Sequence, residues 1–191
     1  MVAGPLAGMV MAEQGADVIK VELPDGVGDR MRFLGTRRND IGALYHGVNR
    51  GKRSVVLDSK TDEGLAALRK LIATADVFIQ NFRPGAAERM GLGEAELRAD
   101  HPDLIYVSVS GFGPDGPRSG ERVYDYVIQA MSGMAALQTD HHGHPTLIKS
   151  VVVDKVTALT VSQAITAALF HRQRGHGGQH IQLSMLDTCL L

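Results

Sequence analysis

The sequence predicts an α/β fold built on a mostly parallel sheet flanked by helices, and three observations carry the prediction. Short apolar runs rich in β-branched residues recur along the chain: Val18-Ile-Lys-Val21, Ser54-Val-Val-Leu57, Val77-Phe-Ile79, Leu104-Ile-Tyr-Val-Ser-Val109 and His180-Ile-Gln-Leu183. Runs of that length and composition fit buried strands. Segments of helical character separate them, as crossovers between parallel strands require. Glycine and proline fall at the joints of these segments, where chain direction changes.

The elements follow in order. Leu6 to Gln14 is apolar and ends at Gly15, a helix stop, before the strand at Val18. Leu23 to Asp40 reads as a loop, with Pro24, three glycines and four arginines. After the strand at Ser54, Thr61 or Ser59 caps a helix that carries Leu65, Leu68, Leu71 and Ile72 on one face. The strand at Val77 precedes two short helices, Pro84 to Met90 and Glu94 to Ala99. The strand at Leu104 runs into a Gly/Pro-rich loop. Tyr126 to Leu137 and Asp154 to Arg174 are the last two helices before Gly175, Gly177, Gly178 and the strand at His180.

The 191 residues are enough for one domain with a real core. A hydrophobic share of 44% and a charged share of 21% are those of an ordinary globular chain. The formal charge of −1 argues against general attraction to nucleic acid or membrane. Cys189 stands alone, which excludes an internal disulfide and fits a reducing compartment. No apolar run approaches membrane-spanning length, and the apolar start, Met1 to Met11, lacks a basic leader region. The expected location is the cytoplasm. The chain opens within a strand-to-helix turn, Ala3-Gly-Pro5, and closes as a new helix begins at Asp187, so a fragment of a longer polypeptide is expected.

Asp154 is the most informative residue. It follows Val151-Val-Val153 and opens a stretch of small residues, Lys155 to Ala168. A carboxylate in that company loses part of its water shell, which suits a proton carrier or a nucleophile. The same residue at the start of a helix is equally an N-cap. Gly111-Phe-Gly-Pro-Asp-Gly116 matches a dinucleotide pattern, but Pro114 and Pro117 break it and no helix follows. It reads as a shaped loop at a strand's C-terminal end, the edge where open α/β sheets bind ligands. His141-His-Gly-His144 lacks a second cluster of metal-ligating spacing and reads as a solvated turn, so no metal is expected. Arg30, Arg53, Lys60, Arg83, Arg89 and Arg122 fall at element ends. Each alone is ordinary surface charge; together, with Asn81-Phe-Arg83 directly after a strand, they suit a phosphorylated ligand with a planar ring.

At this point the chain resembles the family III coenzyme A transferases, the group that includes formyl-CoA transferase, carnitine CoA-transferase and α-methylacyl-CoA racemase. The resemblance rests on stretches in common order: Ala3 to Gly8, Gly15 to Glu22, Asn49 to Ser54, Leu57 to Lys60, Asp76 to Gly85 and Arg89 to Gly91. It continues with Ser108 to Gly113, Tyr124-Asp125 with Gln129 to Gly133, and Arg174 to Gln179 leading to Ser184-Met-Leu-Asp187. It implies a Rossmann-like large domain, here partial over 1–191, with the small domain and the returning C-terminal segment absent. It implies that full-length chains interlock as homodimers. It places the catalytic aspartate at Asp154 and CoA contacts at Ala3, Leu57, Lys60, Asn81, Phe82, Arg83, Arg89, Arg122 and Tyr124. The implied reaction moves CoA from an acyl-CoA donor to a carboxylic acid acceptor, through an aspartyl anhydride and an aspartyl-CoA thioester, with coenzyme A as a substrate and no metal. Small Thr157 and Ala158 would leave room for the acyl group. Leu23 departs from the pattern, standing where formyl-CoA transferase has an arginine. Racemase chemistry is the alternative, but Tyr124 stands where those enzymes have histidine, and a phenol of pKa about 10 is a poor base at neutral pH. A catalytically silent fragment that at most binds CoA is the other alternative.

Overall fold

A computed structural model describes residues 2–190. Strands β1 (Ile19–Glu22) and β4 (Arg53–Val56) pair in parallel, and β5 (Val77–Gln80), β6 (Ile105–Ser110) and β7 (His180–Ser184) form a second parallel sheet in the order β5-β6-β7. The parallel pairing matches the expectation; the single sheet does not. No described strand bonds β1 to β5, so the parallel strands stand as two sheets. Strands β2 (Arg37–Arg38) and β3 (Ile41–Gly42) form a hairpin turned by Asn39 and Asp40, both at positive φ, and an isolated antiparallel bridge joins Thr139 to Pro145. Two consecutive left-handed residues make the tight turn that fits twisted antiparallel strands.

Helix α1 (Ala3–Glu13) begins three residues before its expected start and ends before Gly15, whose φ is +101°. Its small residues allow close approach. Gly4 abuts Asn81, Gly8 abuts Lys52 and Val18, and Ser162 donates to the Ala7 carbonyl. Helix α2 (Ala43–Asn49), absent from the sequence reading, has Gly47 at its middle and too few apolar residues for a visible period. Helix α3 (Asp62–Ile72) is capped by Thr61, whose hydroxyl accepts the Gly64 N–H, so Thr61 and not Ser59 is the cap. Helices α4 (Ala86–Arg89) and α5 (Glu94–Asp100) follow β5.

The expected helix from Tyr126 to Leu137 is two: α6 (Asp125–Met131) and α7 (Met134–Leu137), parted by Gly133 at φ +84°. Helix α8 (Val152–His171) closes in a π turn over Arg172–His176, and α9 (Met185–Leu190) follows β7. With that turn, α8 is long and apolar enough to span a membrane, contrary to the sequence reading. Its inner face is nevertheless core: Val153, Ala158, Val161, Ile165 and Ala168 are buried.

Two cores sandwich the β5-β6-β7 sheet. Alternation along β6 sends Ile105, Val107 and Val109 to α1 and α8, and Tyr106 to the opposite face with Leu68, Ile72, Leu92 and Leu97 of the α3–α5 side. The Tyr106 hydroxyl meets its buried-polar requirement on the Leu92 carbonyl at 2.9 Å.

Candidate active site

Asp154 lies at the third position of α8, not at its cap. The cap position is Val151, which offers no side-chain bond. The free N–H groups of the first turn are met from elsewhere: Asp125, the first residue of α6, accepts the Asp154 N–H on Oδ2 at 2.8 Å. The Asp154 carboxylate in turn accepts the Ala3 N–H on Oδ1 at 3.0 Å. Asp154 therefore caps α1, a helix 151 residues away in sequence, while Asp125 caps Asp154's own helix. That borrowed cap explains why α1 starts at Ala3 and not at Leu6.

Burial pushes the Asp154 carboxyl above the ordinary carboxylate range; the Ala3 N–H pulls it back, and the charge of Asp125 pushes it up again. The N-termini of α1 and α8 meet at this group and favour negative charge beside it. The result is a partly desolvated carboxylate with one oxygen anchored and no cation bonded to it among the described residues.

Around it, Val153 packs with Ile128 and Met185, and Phe112 and Val123 pack against the same cluster. Gly111 touches Val123 so closely that a Cβ has no room, and the Leu186 N–H donates to the Gly111 carbonyl. The loop after β6 is thereby held beside the first turn of α8. Thr157 and Ala158 do not line an acyl pocket as expected. Both are fully buried, Ala158 in the core and Thr157 hydrogen-bonded to Thr188 at 2.8 Å. One turn along α8 from Asp154 places them against α9 and the sheet, not toward solvent.

The other expected contact residues are spread along the C-terminal ends of two sheets. Ala3 is buried at the head of α1. Asn81, Phe82 and Arg83 follow β5 and are exposed, with Asn81 against Gly4 and the Phe82 N–H bonded to Gln80. Leu57 follows β4 and packs on the Leu68 cluster, and Lys60 is exposed beyond it. Arg89 closes α4 with its guanidinium over Gly85. Arg122 is exposed, and Tyr124, 60% exposed, is the cap residue of α6. Of this set the structure brings Ala3, Asn81 and Asp154 together through the head of α1, and Tyr124 reaches the same corner through its neighbour Asp125. Leu57, Lys60, Arg89 and Arg122 make no direct contact with that corner among the described bonds.

Arg53 leaves the group of ligand-facing cations: it forms a two-pronged pair with Asp17 at 2.9 and 2.6 Å. Arg32, not among the expected ligand contacts, is bound to Glu22 through Nε (3.0 Å) and Nη2 (2.7 Å) and lies over the Tyr45 ring. Burial pushes Glu22 up, but its bonds to Arg32, the Asp29 N–H and Tyr45 hold it down at about 2; burial and the Glu22 carboxylate lift Tyr45 to about 12. This cluster pins the loop after β1, where Leu23 and Arg30 are exposed. The His141–His144 segment is a surface turn: Asp140 Oδ1 accepts the His142 and His144 N–H groups, each at 2.9 Å. No group of three or more metal-ligating side chains occurs among the described residues.

A cavity of about 710 Å³ does not coincide with Asp154. It lies at the opposite end of the sheet, between Asp76, Leu104 and Arg172. Volume alone is no guide here, because a ligand on an open α/β sheet sits on the exposed C-terminal edge.

An α/β chain with a desolvated carboxylate at the head of a core helix defines a class only loosely; comparison with known proteins makes it definite. The family model for CoA-transferase family III matches residues 1–191, and the chain belongs to that family. It is 44% identical over 195 residues to the succinate–glutarate CoA-transferase of Agrobacterium fabrum, covering 98% of this chain and 48% of the relative. It is 37% identical over 189 residues to a formyl-CoA:oxalate CoA-transferase of Escherichia coli, covering 98% and 45%. The crystal structure of a CAIB/BAIF family protein from Brucella suis superposes with a TM-score of 0.93 at 39% identity, over 99% of this chain and 51% of that one. The chain thus spans about half the length of the relatives it matches.

Proposed function

We propose that this chain carries the nucleophile, and part of the CoA-binding surface, of an acyl-CoA:carboxylate CoA-transferase. The observation that carries the reading is the Asp154 carboxylate, desolvated at the head of α8 with one oxygen anchored by the Ala3 N–H. Membership of family III supports it.

The free carboxylate oxygen attacks the donor's thioester carbonyl. A C–O bond forms, the C–S bond breaks, and the CoA thiolate leaves. The thiolate then attacks the Asp154 carbonyl of the mixed anhydride, releasing the donor acid and leaving an aspartyl-CoA thioester. An acceptor carboxylate attacks that thioester, forming a second anhydride and freeing the thiolate again. Attack of the thiolate on the acceptor's carbonyl gives the new acyl-CoA and returns Asp154 as carboxylate. Covalent catalysis of this kind splits one hard exchange into easier steps. The Ala3 N–H is placed to hold the carbonyl oxygen that Asp154 presents in each intermediate. Asn81, Phe82 and Arg83, exposed beside the α1 head, suit the amides, adenine face and phosphates of CoA. Tyr124 in place of a histidine supports transfer over racemisation. Cytoplasmic location and an interlocked homodimer belong to this reading.

The test is intact-protein and peptide mass spectrometry of the protein expressed from its complete reading frame. Incubation with acetyl-, succinyl- and glutaryl-CoA is followed by hydroxylamine trapping, with Asp154→Ala as control. A hydroxamate at Asp154, absent from the control, is the expected result. A folded protein that turns over without modification at Asp154 overturns the assignment.

A further inference from the structure

Asp125 is a buried carboxylate with no cation bonded to it among the described residues. It is 3% exposed, and its bonds run to the Asp154 N–H and to the Gln129 amide. Such a group is costly to bury. Gln129, fully buried, shows what the arrangement fixes. Its Oε1 accepts the Ile148 N–H at 2.8 Å, which leaves its Nε2 to face Asp125 and the Ser150 carbonyl (3.1 Å). The Gln129 amide therefore has one orientation, and it presents a donor to position 125. The Asp154 N–H presents another. An ionised aspartate, which only accepts, satisfies both. An asparagine satisfies one and sets its own NH₂ against the other.

We propose that Asp125, oriented by Gln129, is a positioning residue that sets the first turn of α8 so that the Asp154 carboxylate meets the donor thioester. The inference rests on the reading of Asp154 as nucleophile. Segment Ile148–Ser150, which leads into α8, is tied to the same glutamine, so the approach to the helix and its first turn are registered on one buried pair. Other groups nearby are engaged elsewhere or stand apart: Lys155 donates to Ser150 Oγ at 2.9 Å, Asp187 on α9 accepts from Ser184 at 2.6 Å, and Tyr124 is exposed. Among the described residues the charge of Asp125 is the one that acts on Asp154, and it pushes that carboxyl up, adding to burial.

The experiment compares wild type, Asp125→Asn and Asp125→Glu, each from the complete reading frame. It measures the rate of hydroxylamine-trapped modification of Asp154 by succinyl-CoA from pH 5 to 9. Asp125→Asn is expected to slow modification at least tenfold at pH 7.5, with half-saturation by succinyl-CoA changed less than twofold. The acid limb of its rate–pH profile moves to lower pH, and Asp125→Glu restores part of the rate. Asp125→Ser, smaller and still an acceptor for the Asp154 N–H, replaces Asn if that variant fails to melt cooperatively. A folded variant that reacts within twofold of wild type overturns the inference. So does a slowed variant whose acid limb stays in place and which Glu does not rescue, because the role is then merely structural. Wild type left unmodified at Asp154 sinks the nucleophile reading and this inference with it; modified wild type beside an unaffected variant sinks this inference alone.

Discussion

The Ala3 N–H donates to Asp154 Oδ1 at 3.0 Å, so the residue proposed to attack the thioester also caps the first helix of the chain. One carboxylate serves two purposes, and they separate under substitution because capping needs an oxygen acceptor whereas attack needs a free anionic oxygen.

Asp154→Asn keeps the acceptor and loses the nucleophile. Transfer activity falls at least about a thousandfold, as expected when a covalent route is removed, while the fold is retained. The stability follows from the raised carboxyl. A group whose folded pKa lies above its unfolded value contributes its full stability below the unfolded pKa and loses it as pH rises through the folded one. Asp154→Asn therefore melts above wild type at pH 7 to 8, and the advantage fades on acidification toward pH 4. A melting series in which the gap widens with acid would contradict the assignment of burial as the cause. Asp154→Ala, which removes the cap, costs about 1 kcal/mol more than Asn.

Arg32→Met leaves the Glu22 carboxylate, 7% exposed, without its guanidinium. Breaking a fully buried pair costs about 3–5 kcal/mol; the partly exposed Arg32 side reduces this to about 2–3. The Glu22→Gln/Arg32→Met double variant is more stable than Arg32→Met alone, since the stranded charge is gone. Glu22, held at about 2 in the fold, stabilises above its ordinary 4.5, and that contribution drains away between pH 4.5 and 2. Urea midpoints of the three proteins at pH 7 and pH 3 test both statements.

Lys52 donates to the Pro5 carbonyl (2.6 Å), the Val48 carbonyl (2.9 Å) and Asn49 Oδ1 (2.8 Å), joining α1 to α2. Lys52→Met strands three acceptors and costs about 2–3 kcal/mol. Burial pulls the Lys52 ammonium down to about 7. The unfolded chain then binds more protons between pH 7 and 10.5, so wild-type stability rises with pH across that window and the deficit of the methionine variant grows. A deficit that shrinks from pH 7 to 9 would refute this.

Gly111→Ala drives a methyl group into Val123. Overpacking of that size costs about 1–3 kcal/mol and displaces the loop beside α8, so stability and Asp154 modification both fall. Val123→Ala in the same chain recovers part of both, because the nearest clashing atom, Val123 Cγ1, is removed. Chemical denaturation with the trapping assay distinguishes this from a loop that tolerates alanine.

Patterns local to the chain were legible in the sequence. Five apolar runs became β1, β4, β5, β6 and β7, because a buried parallel strand needs only a short β-branched stretch. Thr61 capped α3 and Gly15 ended α1 because those devices act within one turn of themselves. Asp154 was singled out by its apolar company alone, and the family resemblance ran through motifs spaced along the whole chain.

Tertiary structure decided what depends on distant partners. The start of α1 is set by Asp154, and the first turn of α8 by Asp125, through bonds spanning 151 and 29 residues that no local pattern encodes. Small Thr157 and Ala158 signalled room but are packed, because a small side chain marks close approach of a neighbouring element as readily as a pocket. Arg53 stood among the cations at element ends until Asp17 claimed it, and Arg32 became visible only through its pair with Glu22. The sequence determined which runs become strands and which carboxylate stands among apolar neighbours at the head of the long helix. Which N–H meets which carboxylate was settled only when three helix ends were packed into one corner, since hydrogen bonds and desolvation act over ångströms of space and not along the chain.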